Sequence, residues 1–331
     1  MTLQIIILLG SLALLIFGAE WIVDGSSAIA RRAGLSEFLI GLTVVGIGTS
    51  MPELAVSTVG ALNGSADISI GNVVGSNIFN VLLILGVTAM IRPVFISGSN
   101  LRRDIPLNIF VTVLLILFGK HASLFGLGED TLSRLDGAIF LLLFIAYMYI
   151  SFRTGKEEFS EDGADEDTGG KGKKLYVAIL LTLAGFAALI AGGKYFVDSA
   201  TKIARMAHLS EKFIAVTILA GGTSMPELVT CVVATVKKKG ALALGNIIGS
   251  NISNILLILG TSALVFHPSG KGPSGLSFGN ITWMDLGVLV LSSLLLLTSA
   301  WSGRNNKIGR GDATLFLLCQ GAYLVWLFLN L

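Results

Sequence analysis

The sequence predicts an all-α polytopic membrane protein, with ten transmembrane helices arranged as two inverted five-helix repeats. Three observations lead there: composition, the spacing of apolar segments, and one long motif that recurs at a fixed offset. Hydrophobic residues make up 53% of the 331-residue chain and charged residues 13%, with a mean hydropathy of +0.81. A soluble domain carries roughly 25% charged residues. The apolar residues also run in blocks of about 20, the length that crosses a hydrocarbon core. A net charge of +2 without a basic block gives no reason to expect a nucleic-acid partner.

The segments fall at 3–29, 37–62, 68–91, 104–119, 134–152, 175–203, 211–236, 242–266, 281–300 and 311–330. The first has no basic residue ahead of it and is too long for a signal-peptide core, so it reads as an uncleaved helix. Cys231 and Cys319 sit inside apolar segments with no metal-motif spacing and read as buried hydrophobes. Between the fifth and sixth segments lies "RTGKEEFSEDGADEDTGGKGKK", 153–174, an acidic, Gly-rich stretch that reads as a solvated linker. It lacks the spacing of an EF-hand loop.

The halves on either side are copies. A shift of 174 carries Asp24 onto Asp198, Arg31 onto Arg205, and "TSMPEL" at 49 onto "TSMPEL" at 223. It also superposes 71–86 on 245–260 with 12 of 16 residues identical. The predicted units are a first repeat over 1–152 with its motif at 41–86, and a second over 175–331 with its motif at 215–260. Five segments per half is an odd number, so the second copy enters from the opposite face and the repeats are inverted. With both termini outside, 16 of the 23 basic residues, among them Arg31, Arg32, Arg92, Arg102, Arg103 and Lys237 to Lys239, fall in cytoplasmic segments. The positive-inside rule therefore places the 153–174 linker in the cytoplasm.

The motifs put oxygen ligands at membrane depth. In the second segment Thr49 and Glu53 share a helix face and Ser50 lies beside them. Pro52 withholds a backbone N–H, and Gly46 and Gly48 permit unwinding, so a broken helix with free carbonyls is expected. The seventh segment repeats this with Thr223, Ser224, Pro226 and Glu227 behind Ala220, Gly221 and Gly222. In the third segment Ser76 and Asn80 project from one face, and Gly71 and Gly75 are expected to let another helix approach closely. Ser250, Asn254, Gly245 and Gly249 do the same in the eighth. Asn72, Asn77, Asn246 and Asn251 differ in helical phase from Asn80 and read as packing or outer-layer residues.

Two carboxylates with hydroxyls, amides and carbonyls, and no His or Cys, suit a hard cation. Ca2+ takes about 6–8 oxygens in irregular geometry, and hydroxyl and carbonyl oxygens could hold Na+ alongside it. Protons would compete for the same oxygens.

The paired "GTSMPE", "GNVVGSNIFN" and "GNIIGSNISN" stretches resemble the alpha repeats of the sodium/calcium exchanger family, within the cation/calcium antiporter superfamily. The resemblance implies Na+/Ca2+ antiport by alternating access, with the long first and sixth helices moving against a core. It also implies Glu53 and Glu227 as the main Ca2+ ligands, and hydroxyl and backbone oxygens from Thr49, Ser50, Thr223 and Ser224. Ser76, Asn80, Ser250 and Asn254 would complete flanking Na+ positions, and Gly46 and Ala220 would add backbone carbonyls. The proton-coupled branch carries a GNxxE-type motif where this chain reads GTSMPE, which favours sodium. Asn254 stands where potassium-dependent members carry Asp, which argues against K+ co-transport. A proton-coupled Ca2+ antiporter on the same fold is the nearest alternative, and a cation channel a distant one.

No HExxH, Ser–His or Cys–His set, or nucleotide loop is present, so the reading is a transporter rather than an enzyme. Its partners are Ca2+, Na+ and the lipid bilayer of a cell (plasma or inner) membrane, with no cofactor and no obligatory protein partner. Asp24 and Asp198 read as interfacial capping residues. Glu20 and Lys194, equivalent in position and opposite in sign, are a conceivable pair. Of the three histidines, His121, His208 and His267, none earns a role.

Overall fold

The computed structural model describes residues 2–98, 100–126, 128–161, 174–207, 220–267, 275–279, 281–302 and 306–330. Most of the predicted linker, the first part of the seventh segment, and His208 lie outside these residues. The helices are α1 (Thr2–Ala33), α2 (Glu37–Thr49 and Met51–Leu62), α3 (Ala66–Ile91), α4 (Ile105–Gly119) and α5 (Arg134–Glu161). They continue as α6 (Leu175–Met206), α7 (Met225–Val236), α8 (Gly240–Val265), α9 (Trp283–Ser302) and α10 (Arg310–Asn330). Among the described residues seven helices are long and apolar enough to cross a membrane, or eight if the two parts of α2 form one span. α4 is 15 residues long, about 22 Å at 1.5 Å per residue. A π-helical turn, Asn100–Asp104, runs directly into it.

Burial sorts the helices into centre and periphery. The most apolar stretch of α8 is 94% buried inside the protein and that of α3 67%, against 28% for α1 and 22% for α10. Glycines explain how α8 is enclosed. A Cβ at Gly249 would sit 2.1 Å from the Leu42 carbonyl oxygen, and one at Gly245 2.2 Å from that of Phe38. The backbones of α8 and the first part of α2 therefore touch, which any larger side chain would prevent. Gly71 and Gly75, expected to do the same, have no described atom within 4 Å of a Cβ. The segment that corresponds to 38–45 is 212–219, outside the described residues.

α1 and α6 cross antiparallel through a second glycine contact. Gly18 faces Gly185 and Ala188, Gly25 faces Ala178 and Thr182, and Gly192 faces Ser11 and Leu15. This register sets Glu20 level with residues near 183 and Lys194 level with residues near 9, so the two cannot pair. Asp24 is also more than a capping residue: its carboxylate takes an ion pair from Lys237 at 2.8 Å, and Glu37 takes one from Lys239 at 2.8 Å.

Two short antiparallel ribbons tie loops of the two halves together. β1 (Val94–Phe95) pairs with β4 (Lys307–Ile308), in register Val94 to Ile308. β2 (Thr131–Leu132) pairs with β3 (Leu276–Ser277), in register Leu132 to Leu276. Following the helices through, the β1–β4 ribbon shares one end of the molecule with Lys237, Lys239 and Glu37. The β2–β3 ribbon lies at the other end, where the His267 N–H donates to the Ala61 carbonyl at 3.2 Å.

Candidate ion-binding site

Two helix breaks build the site. α2 bends by 45° between Thr49 and Met51. Ser50 at the bend has φ −81° and ψ 8°, and Ser224 ahead of α7 has φ −87° and ψ 9°. Pro52 and Pro226 begin the helical turn that follows each break, where a missing N–H costs nothing inside that helix. The cost falls upstream, because proline offers no N–H to the carbonyl four residues back, that of Gly48 or Gly222. The expected break is thus present in both halves.

At the breaks the halves exchange partners. Ser50 Oγ donates to Glu227 Oε1 at 3.1 Å, and Ser224 Oγ donates to Glu53 Oε1 at 3.2 Å. Ser224 Oγ also lies 3.2 Å from Ser76 Oγ, and Ser250 Oγ donates to the Gly46 carbonyl at 3.2 Å. Glu53, Glu227, Thr49, Ser50, Ser224, Ser76, Ser250, Asn80 and Asn254 are all at most 2% exposed. Glu53 and Glu227 are close enough to act on each other electrostatically. Among the described residues no cation pairs with either carboxylate, and Lys194 is exposed on α6. A structural ion pair therefore does not account for them.

Amides link α3 to α8 in the same reciprocal way. Asn80 Nδ2 donates to Asn251 Oδ1 at 3.0 Å, and Asn254 Nδ2 donates to Asn77 Oδ1 at 2.9 Å. Asn77 Nδ2 also donates to the Asn251 carbonyl at 3.0 Å. With both donors committed, the oxygens of Asn80 and Asn254 are left over. Among the described residues nothing donates to Asn80 Oδ1, Asn254 Oδ1, Glu53 Oε2 or Glu227 Oε2, although all four are buried. A buried acceptor without a donor costs about 1–3 kcal/mol, more if charged. Four of them on related residues form a set of oxygen donors with two formal negative charges, the chemistry of a hard cation. No group of three or more His, Cys, Asp or Glu side chains stands ready for a softer metal among the described residues.

A family model described as sodium/calcium exchanger protein matches residues 3–153 and 177–329. The chain belongs to the sodium/calcium exchanger family. It is 34% identical to the sodium/calcium exchanger MaX1 of Methanosarcina acetivorans, over 99% of both chains. It is also 34% identical to the inner membrane protein YrbG of Escherichia coli, over 99% of this chain and 96% of that one. A solved structure of the sodium-calcium exchanger NCX_Mj, soaked with Na+ and Sr2+, superposes with a TM-score of 0.79 at 33% identity, covering 98% of each chain. As a member of this family with several membrane-length apolar helices, the chain is an integral membrane protein.

The exchanger chain thus gathers Thr49, Ser50, Glu53, Ser76, Asn80, Ser224, Glu227, Ser250 and Asn254, together with the Gly46 carbonyl. Thr223 joins them through Asn72, since its Oγ1 donates to Asn72 Oδ1 at 3.3 Å. The backbone of Ala220 lies in the single turn Ala220–Gly222 ahead of the second break, and its side chain falls outside the described residues.

The residues that phase alone set aside prove closer than expected. Asn77 and Asn251 bond the site amides directly, and Asn72 and Asn246 bond the two threonines. Helical phase measured within one helix could not find them, because the site threonines and amides they bond lie in the other half. A usable signal was present nonetheless: all four asparagines recur at the 174-residue offset. Cys231 also departs from the inert reading, since its sulfur accepts from Asn246 Nδ2 at 3.2 Å.

Proposed function

We propose that this exchanger-family protein is a secondary antiporter that exchanges Na+ for Ca2+ across a cell membrane, at a central site containing Glu53 and Glu227. The observation that carries the reading is the reciprocal bonding of Ser50 to Glu227 and Ser224 to Glu53, which leaves one bare oxygen on each carboxylate. Two carboxylates balance the charge of Ca2+. The hydroxyls of Thr49, Ser50, Thr223 and Ser224 and the carbonyls of Gly46 and Ala220 supply neutral oxygens. Ser76, Asn80, Ser250 and Asn254 flank the centre for Na+. Occupancy by either ion neutralises the pair, and protons compete for the same oxygens. The related proteins named as sodium/calcium exchangers support sodium as the counter-ion.

The architecture behind this function is ten spans in two inverted repeats, 1–152 and 175–331, joined by the 153–174 linker. The antiparallel crossing of α1 and α6 supports the inversion, as do the matching breaks ahead of α7 and within α2. α4 reaches spanning length when the Asn100–Asp104 turn is counted with it. The end carrying the β1–β4 ribbon also carries Arg31, Arg32, Arg92, Arg102, Arg103, Lys237, Lys238 and Lys239, which supports its placement in the cytoplasm with both termini outside.

Ca2+ uptake into proteoliposomes tests the reading. A Na+ gradient alone should drive uptake that saturates. Uptake driven by a pH gradient and indifferent to Na+ would replace sodium with protons, and flux without any counter-ion would make the protein a channel.

A further inference from the structure

We propose that Asn72 and Asn246 are positioning residues that turn the hydroxyl lone pairs of Thr223 and Thr49 toward the ion. The inference rests on the two-glutamate site described above and concerns how its neutral ligands are oriented.

A hydroxyl coordinates a cation through a lone pair, so its single proton must be held elsewhere. Each threonine here has a competing acceptor in the glutamate of the opposite half: Thr49 lies beside Glu227 and Thr223 beside Glu53. If the proton went to the carboxylate, the bond would occupy a carboxylate lone pair that the ion needs and would turn the hydroxyl toward the glutamate. The asparagines provide the other destination. Thr223 Oγ1 donates to Asn72 Oδ1 at 3.3 Å, and Thr49 Oγ1 donates to Asn246 Oδ1 at 3.1 Å.

Which end of the Asn72 amide faces Thr223 follows from its other contacts. Nδ2 sits 3.2 Å from the Glu53 backbone carbonyl and 2.9 Å from Ser57 Oγ. A carbonyl can only accept, so the nitrogen faces α2 and the oxygen faces the second break. The threonine must then be the donor. At Asn246 the corresponding anchor is Cys231 Sγ, at 3.2 Å. Ser57 and Cys231 each stand one turn beyond a site glutamate and occupy equivalent places in the two halves. Each asparagine therefore ties a glutamate-bearing helix of its own half to a threonine of the other. The Val45 carbonyl, 3.0 Å from Thr49 Oγ1, takes that proton as well, so the cleaner test lies on the Asn72–Thr223 pair.

The test is a double-mutant cycle on Na+-driven Ca2+ uptake in proteoliposomes, with thermal stability in detergent as the folding control. Asn72→Leu and Thr223→Val should each raise the half-saturating Ca2+ concentration about fivefold or more, roughly 1 kcal/mol of binding. The maximal rate of Asn72→Leu should stay within about twofold, and the double variant should be no worse than the poorer single one. If Asn72→Leu does not fold, Asn72→Ser, too short to reach both partners, carries the same cycle. On the other half, Cys231→Ser should match the wild type and Cys231→Ala should weaken Ca2+, because only serine keeps an acceptor for Asn246. Independent, multiplying effects of Asn72 and Thr223 would overturn the proposal, as would a loss confined to maximal rate. So would equal behaviour of the two Cys231 variants. Glu53→Gln run in parallel separates the levels: undiminished transport there overturns the site itself, whereas an inactive Glu53→Gln with an additive cycle overturns only the positioning role.

Discussion

Among the described residues Glu53 and Glu227 are each held by one serine of the opposite half and by no cation, so each carboxyl group keeps an oxygen unspent. Glutamine is nearly isosteric with glutamate, and its carbonyl oxygen can still accept from Ser224 or Ser50. Glu53→Gln and Glu227→Gln should therefore fold normally and lose Ca2+ transport by at least about 100-fold, near 3 kcal/mol of ion binding. Flux assays on purified, monodisperse variants check this, and near-normal transport by either one would remove that residue from the site. The threonines, serines and glutamates of the candidate site could be picked out in the sequence, because an acid beside hydroxyls at membrane depth has few other uses. The outer asparagines could not. The threonines and amides they meet in the other half sit on helices far away in the chain, and helical phase says nothing about which foreign helix a face will meet.

The bends were legible for a local reason: Gly and Pro act within a few residues of where they stand, and Ser50 and Ser224 have nearly the same dihedral angles in consequence. The π-helical turns at Asn80–Leu85 and Asn254–Leu259 were not legible, since nothing in a 3.6-residue pattern announces an extra residue in the turn. They begin at the two site asparagines and shift the face that each helix presents beyond them. Glycine packing carries its own prediction. Gly249→Val would drive a side chain into the Leu42 backbone and force α8 off α2, at a cost of about 1–3 kcal/mol. A melting temperature equal to wild type would show that the two helices have room to part. At the β2–β3 end, buried Lys120 donates to the Phe278 carbonyl at 3.1 Å and pairs with Asp130 at 3.5 Å. Lys120→Ala should lower stability by about 1–3 kcal/mol without changing Ca2+ affinity, since the clamp is remote from the site. Parallel thermal and uptake measurements check both halves of that statement.

For the whole molecule, the candidate site lies where the two halves meet. Each glutamate is bonded by a serine from the other copy, so neither half can complete a site alone. Ca2+ should accordingly stabilise the intact protein, by about 2.7 kcal/mol at a hundred times its Kd, which raises the melting temperature by a few degrees. Glu53→Gln and Glu227→Gln should abolish that shift equally. A shift retained in one variant and lost in the other would mean that Ca2+ binds to one half. The ion pairs of Asp24 with Lys237 and Glu37 with Lys239 have no matching cations in the first half, where Asn63 and Ser65 stand at the equivalent places. The two ends of the protein are therefore chemically unlike, although their helices correspond.

The sequence by itself determined the membrane class, the recurrence of its motifs at a 174-residue offset and the places where α2 and the chain ahead of α7 would break. Each of these depends on composition, on a repeat offset or on residues a few positions apart, and all three can be counted along a chain. Tertiary structure decided which serine reaches which glutamate, where the α8 glycines find a backbone to touch, and that Asn72 and Asn246 face the opposite threonines. Those contacts join residues about 150 to 200 positions apart. They depend on how the helices of the two halves interlock, and no local pattern encodes that register.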